Sequence, residues 1–320
     1  YDPHGGRGYG HRSPNDVVAE YSSVSVTMEG GGFSAGLCPI EGEYNREESP
    51  RRVWDRQTPG FEDWHAQGSY DLTAEQYALN QVYQYEKIAP RSHGGGANWI
   101  FTDSTSGGRV TTETSRTSGE LDGVRLPKEA YWVVKVIFTD EPDLHLLGHW
   151  NYPKGTKKTQ YVVADCEEVE LFLNGKSLGR QKSKPGIDTF NNYHPIIFSW
   201  RDLEWAPGTV EAVGYVGGKE VGRVKKETHG PAVALKMTPI TGPKGLLATG
   251  SDVALVDVEA VDAKGRRCLT WSGKVDFQTR GPATWLGGFN SGKEKTIHKP
   301  FLDLESGVNR VAVRSSLEPG

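Results

Sequence analysis

Pro39-Ile40-Glu41-Gly42-Glu43-Tyr44-Asn45-Arg46 is the stretch on which the reading of this chain turns. An apolar run, Phe33 to Ile40, leads into it, and a loop of charged and aromatic residues follows. In an extended strand, residues i and i+2 point to the same face, so Glu41 and Glu43 project together. A strand of this kind that ends in a pocket delivers a carboxylate for chemistry. The competing reading makes both glutamates ordinary surface residues at a strand end, and the context on either side has to decide.

Upstream, Tyr21 to Met28 alternates and is rich in β-branched residues, and Gly30-Gly31-Gly32 turns it toward the strand that ends at Glu43. Downstream come Pro50-Arg51-Arg52-Val53-Trp54-Asp55, then a helical pattern from Thr73 to Ile88 with Asp71 or Thr73 as its cap. A strand over Ala97 to Thr102 follows Gly94-Gly95-Gly96, and a second helix runs from Leu126 to Phe138 with Pro127 near its start. Polar and aromatic residues gather at the strand ends, as they do around the active sites of (β/α) barrels. The alternation covers about half of the eight units that closure requires.

From residue 140 the texture changes to short alternating strands. Asn174-Gly175 and Gly217-Gly218 sit between apolar runs as hairpin turns. The expected fold class is multidomain α/β plus all-β. Residues 1–139 form a partial (β/α)8 TIM barrel, followed by two immunoglobulin-like β-sandwiches over 140–229 and 230–320, with a boundary near His229-Gly230-Pro231.

Composition narrows the function classes. Nine tryptophans and thirteen tyrosines among 320 residues supply the apolar area that disordered chains lack. A net charge of −4 with mixed signs gives no basic patch for nucleic acid, and no apolar run is long enough to span a membrane. A near-neutral chain with many aromatics suits a carbohydrate partner. Cys38, Cys166 and Cys268 lack metal-site spacing and read as small buried hydrophobes. The glycine runs lack the order of a phosphate loop, so no cofactor and no metal are expected. Tyr1-Asp2-Pro3-His4 reads like the middle of a domain, which predicts an internal piece of a longer polypeptide.

Glu43-Tyr44, the Pro50 to Asp55 string and Trp99 together resemble the last part of a glycoside hydrolase family 2 barrel, the β-galactosidase and β-glucuronidase group. Tyr1-Asp2-Pro3-His4-Gly5-Gly6-Arg7 looks like the Asp-Pro segment that follows the acid/base strand there. Val169-Glu170-Leu171-Phe172-Leu173-Asn174-Gly175-Lys176-Ser177-Leu178-Gly179 is similar to a strand pair of the family's accessory sandwich.

The resemblance implies a retaining exo-β-glycosidase using two carboxylates about 5–5.5 Å apart. Glu43 aligns with the nucleophile, and Glu41 lies one pleat earlier. Trp99 would form a platform under the sugar. Tyr44, Asn45, Asp103, His4 and Arg51 are the further substrate-binding candidates. The family's acid/base is a Glu after Asn, and no Asn-Glu pair occurs between Tyr1 and Glu43. It is therefore expected upstream, on the missing half of the barrel in the same enzyme or on a second chain; failing that, Glu41, Glu47 or Glu113 would have to serve. The glucuronidase branch carries Asn-x-Lys near the nucleophile, whereas Asn45 is followed by Arg46 and Glu47, so galactosides are expected over uronic acids. The resemblance also favours a secreted or periplasmic protein and allows a homo-oligomer. A non-catalytic sugar-binding or scaffolding module built on the sandwiches is the alternative.

Overall fold

The computed structural model describes residues 28–29, 32–33, 40–44, 47–62, 72–88, 95–104, 115–183, 196–290 and 296–319. Two very short strands, β1 (Met28–Glu29) and β2 (Gly32–Phe33), pair antiparallel. β3 (Ile40–Tyr44) is followed by α1 (Ala74–Ile88), β4 (Gly95–Asn98) and α2 (Glu129–Phe138). β3 and β4 run parallel, with Ile40 opposite Gly95 and Tyr44 opposite Asn98. Parallel neighbours need a crossover, and α1 supplies it.

α1 begins where the sequence directs. Thr73 Oγ1 accepts the Gln76 backbone N–H at 3.3 Å while Gln76 Oε1 accepts the Thr73 N–H at 3.1 Å, a reciprocal cap of Thr-x-x-Gln type. Its buried Ala78 and Val82 pack on Val133 and Val136 of α2 and on Leu147, Val163 and Ile196 beyond. α2 has no side-chain cap, but Glu129 in its first turn accepts the Gly148 N–H at 3.0 Å and pairs with His145. Burial pushes the Glu129 carboxyl up, yet His145 and that backbone donor outweigh it and hold it at about 2.

Of the expected half barrel, the described residues show two parallel strands with their two helices and one parallel bridge, Thr102 to Leu121; no closed barrel is shown among them. The strand expected over Ala97–Thr102 ends at Asn98, because the chain bends at Trp99 and its backbone groups turn to the 118–121 segment. The expected strands over Tyr21–Met28 and Phe33–Ile40 fall mostly outside the described residues.

Beyond α2 the chain is antiparallel β. A first pair of sheets contains β5 (Leu144–Leu146), β6 (Lys157–Ala164), β7 (Glu168–Leu173), β8 (Lys176–Lys182), β9 (Ile197–Glu204), β10 (Thr209–Val216) and β11 (Lys219–Glu227). Their orders are β5-β6-β9 and β11-β10-β7-β8. Alternation does the sorting: Val169, Leu171, Val210 and Ala212 face inward onto Trp150, Tyr152, Phe198 and Trp200. Asn174-Gly175 and Gly217-Gly218 all have positive φ, as tight hairpin turns require, and here the expected hairpins form.

A second pair contains β12 (Ala234–Ile240), β13 (Val253–Val261), β14 (Lys274–Asp276), β15 (Thr284–Gly288), β16 (Phe301–Asp303) and β17 (Val308–Arg314). The larger sheet is ordered β12-β13-β17-β15, and β14 pairs with β16 across the core of Val258, Val275, Leu302 and Val311. Cys166 and Cys268 are buried free thiols; Cys38 lies outside the described residues.

Candidate functional site

Glu43 is the fourth residue of five in β3, at its carboxyl end. Its neighbour Tyr44 lies opposite Asn98, the last residue of β4, and Trp99 comes next. Adjacent strands are about 4.8 Å apart, so backbone geometry brings the carboxyl ends of Glu43's strand and Trp99's strand to one place. This is the end of a parallel strand pair where active sites of α/β folds form.

The Asn98-Trp99-Ile100 corner is clamped from the far side. Ile100 N–H donates to Ser118 O at 3.3 Å, Glu120 N–H to Ile100 O at 3.1 Å, and Leu121 N–H to Phe101 O at 3.0 Å. The Trp99–Ile100 peptide is cis. Gly119 sits so close to this corner that a Cβ would collide with the Asp103 backbone, so only glycine fits. The Asn98 side chain is gripped at both ends: Gln81 of α1 donates to its Oδ1 at 3.4 Å, and its amide donates to Glu120. Burial pushes the Glu120 carboxyl up to about 7, and the Asn98 amide only partly opposes this.

Trp99 is half-buried, and Arg116 lies with its guanidinium carbon 5.8 Å from the ring centroid. Arg116 is anchored by backbone bonds with Ser104 and forms a 3.7 Å ion pair with Glu48. The sequence reading missed Arg116, Asn98 and Glu120. A signal was available for Asn98, which is the residue before Trp99 at a strand end; the other two reach the corner through a bridge that no local pattern announces.

The other candidates are placed as follows. Arg51 is buried, with Nε on Asp122 at 2.7 Å, Nη1 on Glu305 O at 2.7 Å and Nη2 on Val308 O at 3.2 Å. All three nitrogens are engaged, so Arg51 joins this layer to the last sheets. Nearby, Arg52 pairs with Glu305, Glu48 with Arg116 and Asp55 with Lys158. Asp103 is buried against Lys128 at 2.6 Å and accepts the Gly119 N–H, which makes it a support for the corner. Burial raises its carboxyl to about 7, against the pull of Lys128. Glu47 accepts a hydrogen bond from Asn80 at 2.9 Å. His4, Asn45 and Glu113 lie outside the described residues, as do the side chains of Glu41, Glu43 and Tyr44.

Comparison with known proteins follows the same outline. Residues 240–320 match the family model for the glycoside hydrolase family 2 C-terminal domain 5, and residues 155–222 match a domain of unknown function, DUF4982. The chain is 45% identical to a β-glucuronidase of Formosa agariphila over 330 residues, which cover 100% of this chain and 33% of that protein. A β-galactosidase of Bacteroides ovatus is 30% identical over 207 residues, 63% of this chain and 23% of that one. The solved structure of a β-glucuronidase from glycoside hydrolase family 2 superposes with a TM-score of 0.79 at 47% identity, covering 88% of this chain and 29% of that chain. A β-glycosidase structure from Bacteroides vulgatus, at 20% identity and a TM-score of 0.71 over 89% of this chain and 39% of that chain, shares the fold. The chain thus spans a third or less of the length of these two curated relatives.

Proposed function

The chain belongs to the C-terminal region of glycoside hydrolase family 2, and from that premise we propose that it contributes the nucleophile side of a retaining exo-β-glycosidase acting on terminal β-linked uronic acids. The observation that carries this reading is the parallel β3–β4 pair, with Glu43 and Trp99 at the same strand ends. The extent and identity of the match to β-glucuronidases support a uronic acid as the sugar, in place of the galactoside expected from the missing Asn-x-Lys.

In this reading the Glu43 carboxylate attacks the anomeric carbon. An acid protonates the departing oxygen, and water then hydrolyses the glycosyl ester with the same acid now acting as base. Trp99 offers an aromatic face to the apolar C–H side of the sugar ring. The corner that holds Trp99 is rigid because Asn98, Ile100 and Phe101 are all bonded to neighbours. No Asn-Glu pair precedes Glu43 in the 320 residues, so the acid/base would come from elsewhere in the active protein.

A 2-deoxy-2-fluoro β-glucuronide with a good leaving group tests the assignment on the intact protein. The glycosyl ester should accumulate on the peptide that carries Glu43 and be found by mass. A label on another carboxylate removes Glu43 from the role. Turnover of nitrophenyl β-galactoside well above that of the β-glucuronide would restore the galactoside reading.

A further inference from the structure

A uronic acid brings a carboxylate that a neutral sugar lacks, and a site that selects it needs a cation within reach of the ring. No Asn-x-Lys lies beside Glu43, where Asn45 is followed by Arg46 and Glu47. Arg51, Arg52 and Lys128 are already committed, to Asp122 and two backbone carbonyls, to Glu305, and to Asp103 and Thr117 O respectively.

Arg116 differs. Its guanidinium lies over the face of Trp99, and its side chain is 17% exposed. Its Nε and Nη2 are buried and have no hydrogen-bond partner. Glu48, at 3.7 Å from Nε, neutralises the charge without making a hydrogen bond. Buried polar nitrogens are normally satisfied, so two orphaned donors on one guanidinium beside an aromatic platform call for an acceptor. A carboxylate fits best: the planar fork of Arg matches two carboxylate oxygens, and a charge-assisted pair of this kind is among the stronger hydrogen-bonded contacts.

We propose that Arg116 holds the sugar carboxylate of the substrate and so sets the preference for uronic acids. The inference rests on reading the Glu43–Trp99 corner as a β-glycosidase site. Sequence gives a reason why it is not obvious: Arg116 lies far along the chain from Glu43, and the Ser104–Arg116 bridge returns it to Trp99.

The test compares nitrophenyl β-glucuronide with nitrophenyl β-glucoside, which differ only in the carboxylate, on the intact protein. Arg116→Met keeps an apolar stem over Trp99 and removes the fork. It should lower kcat/KM for the glucuronide by roughly 10²-fold or more, the range for leaving one charge of a close pair without its partner. The glucoside should change by no more than about threefold, because it never makes the contact. Arg116→Lys keeps a point charge and should lose less on the glucuronide, about tenfold, again with the glucoside spared. It also serves if the Met variant melts. Equal losses on both substrates would make Arg116 a structural residue, and no loss on the glucuronide would remove it from the site. A wild-type protein inactive on the glucuronide would sink the β-glucuronidase reading as well, which separates that failure from the failure of Arg116 alone.

Discussion

The two β-sandwich regions are built from the same alternating pattern and are finished differently. In the first, strands β7 and β10 bury Val169, Leu171, Val210 and Ala212 completely beneath the opposing β6 and β9. In the second, β12 pairs with β13 so that Leu235 lies opposite Ala260 and Met237 opposite Val258. Residues directly opposite share a face, and Ala260 and Val258 are both buried. Yet Leu235 is 48% exposed and Met237 67%. β12 is the edge strand of its sheet, and none of its residues joins the core of Val258, Val275, Leu302 and Val311. Pattern fixes which face of a strand is apolar, and what lies opposite decides whether that face is buried.

The largest expected effect probes the finished region. Trp150 is fully buried in the first core, and its indole donates to Ala206 O at 2.9 Å. Trp150→Ala removes that packing and orphans a carbonyl, so unfolding of the intact protein in urea should show a loss of about 3–5 kcal/mol. A loss below about 1 kcal/mol would mean that the first region is no better packed than the second, and the comparison would collapse.

A somewhat smaller effect concerns how the first region is fastened to the helices. Lys158 of β6 is buried between Asp55, at 3.0 Å, and Glu75 of α1, with Tyr152 donating to Asp55 at 2.6 Å. One ammonium serves two carboxylates. For Asp55, burial raises the carboxyl but Lys158 and His149 outweigh it, and the net shift is down; for Glu75, burial dominates and raises it to about 7. Lys158→Met should cost about 3 kcal/mol, because two buried carboxyls lose their counter-charge. The sign for Glu75 follows from its raised value. Between pH 4.5 and about 7 the native state holds a proton that the unfolded state has released, so this group's contribution is full below 4.5 and is lost as pH rises through 7. Glu75→Gln should flatten that decline, on the order of 1 kcal/mol, in urea midpoints taken at pH 5 and 7.5. An unchanged slope would show that Lys158 keeps Glu75 ionised.

These contrasts also explain what could be read in advance. Thr73-Ala74-Glu75-Gln76 carries its own cap, and Asn174-Gly175 its own turn, because both are settled by residues within three positions. The parallel order of β3 and β4 was legible from the helix between them. What could not be read depended on distant partners. Arg51 was named as a substrate-binding candidate, and its bonds to Glu305 and Val308, more than 250 positions away, leave no mark in the local sequence. Arg116 carried no local sign at all, since its meaning comes from lying over Trp99. Half a barrel was expected from alternation, and the described residues show one parallel pair of it; alternation counts strands without saying which of them pair.

The smallest expected effect is the sharpest test of the opening contrast. Met237 faces the core side of its sheet but stands mostly in solvent, so Met237→Ser removes little buried area. At roughly 25 cal/mol per Å², apolar surface that was never taken from water contributes nothing when deleted. The change should therefore lie within about 0.5 kcal/mol, as for surface substitutions in general. The corresponding change on the partner strand, Val258→Ser, hollows the core and should cost about 2 kcal/mol or more. Both can be read from urea midpoints of the intact protein. If Met237→Ser costs more than about 1.5 kcal/mol, something covers β12 in solution, and the second region is as finished as the first.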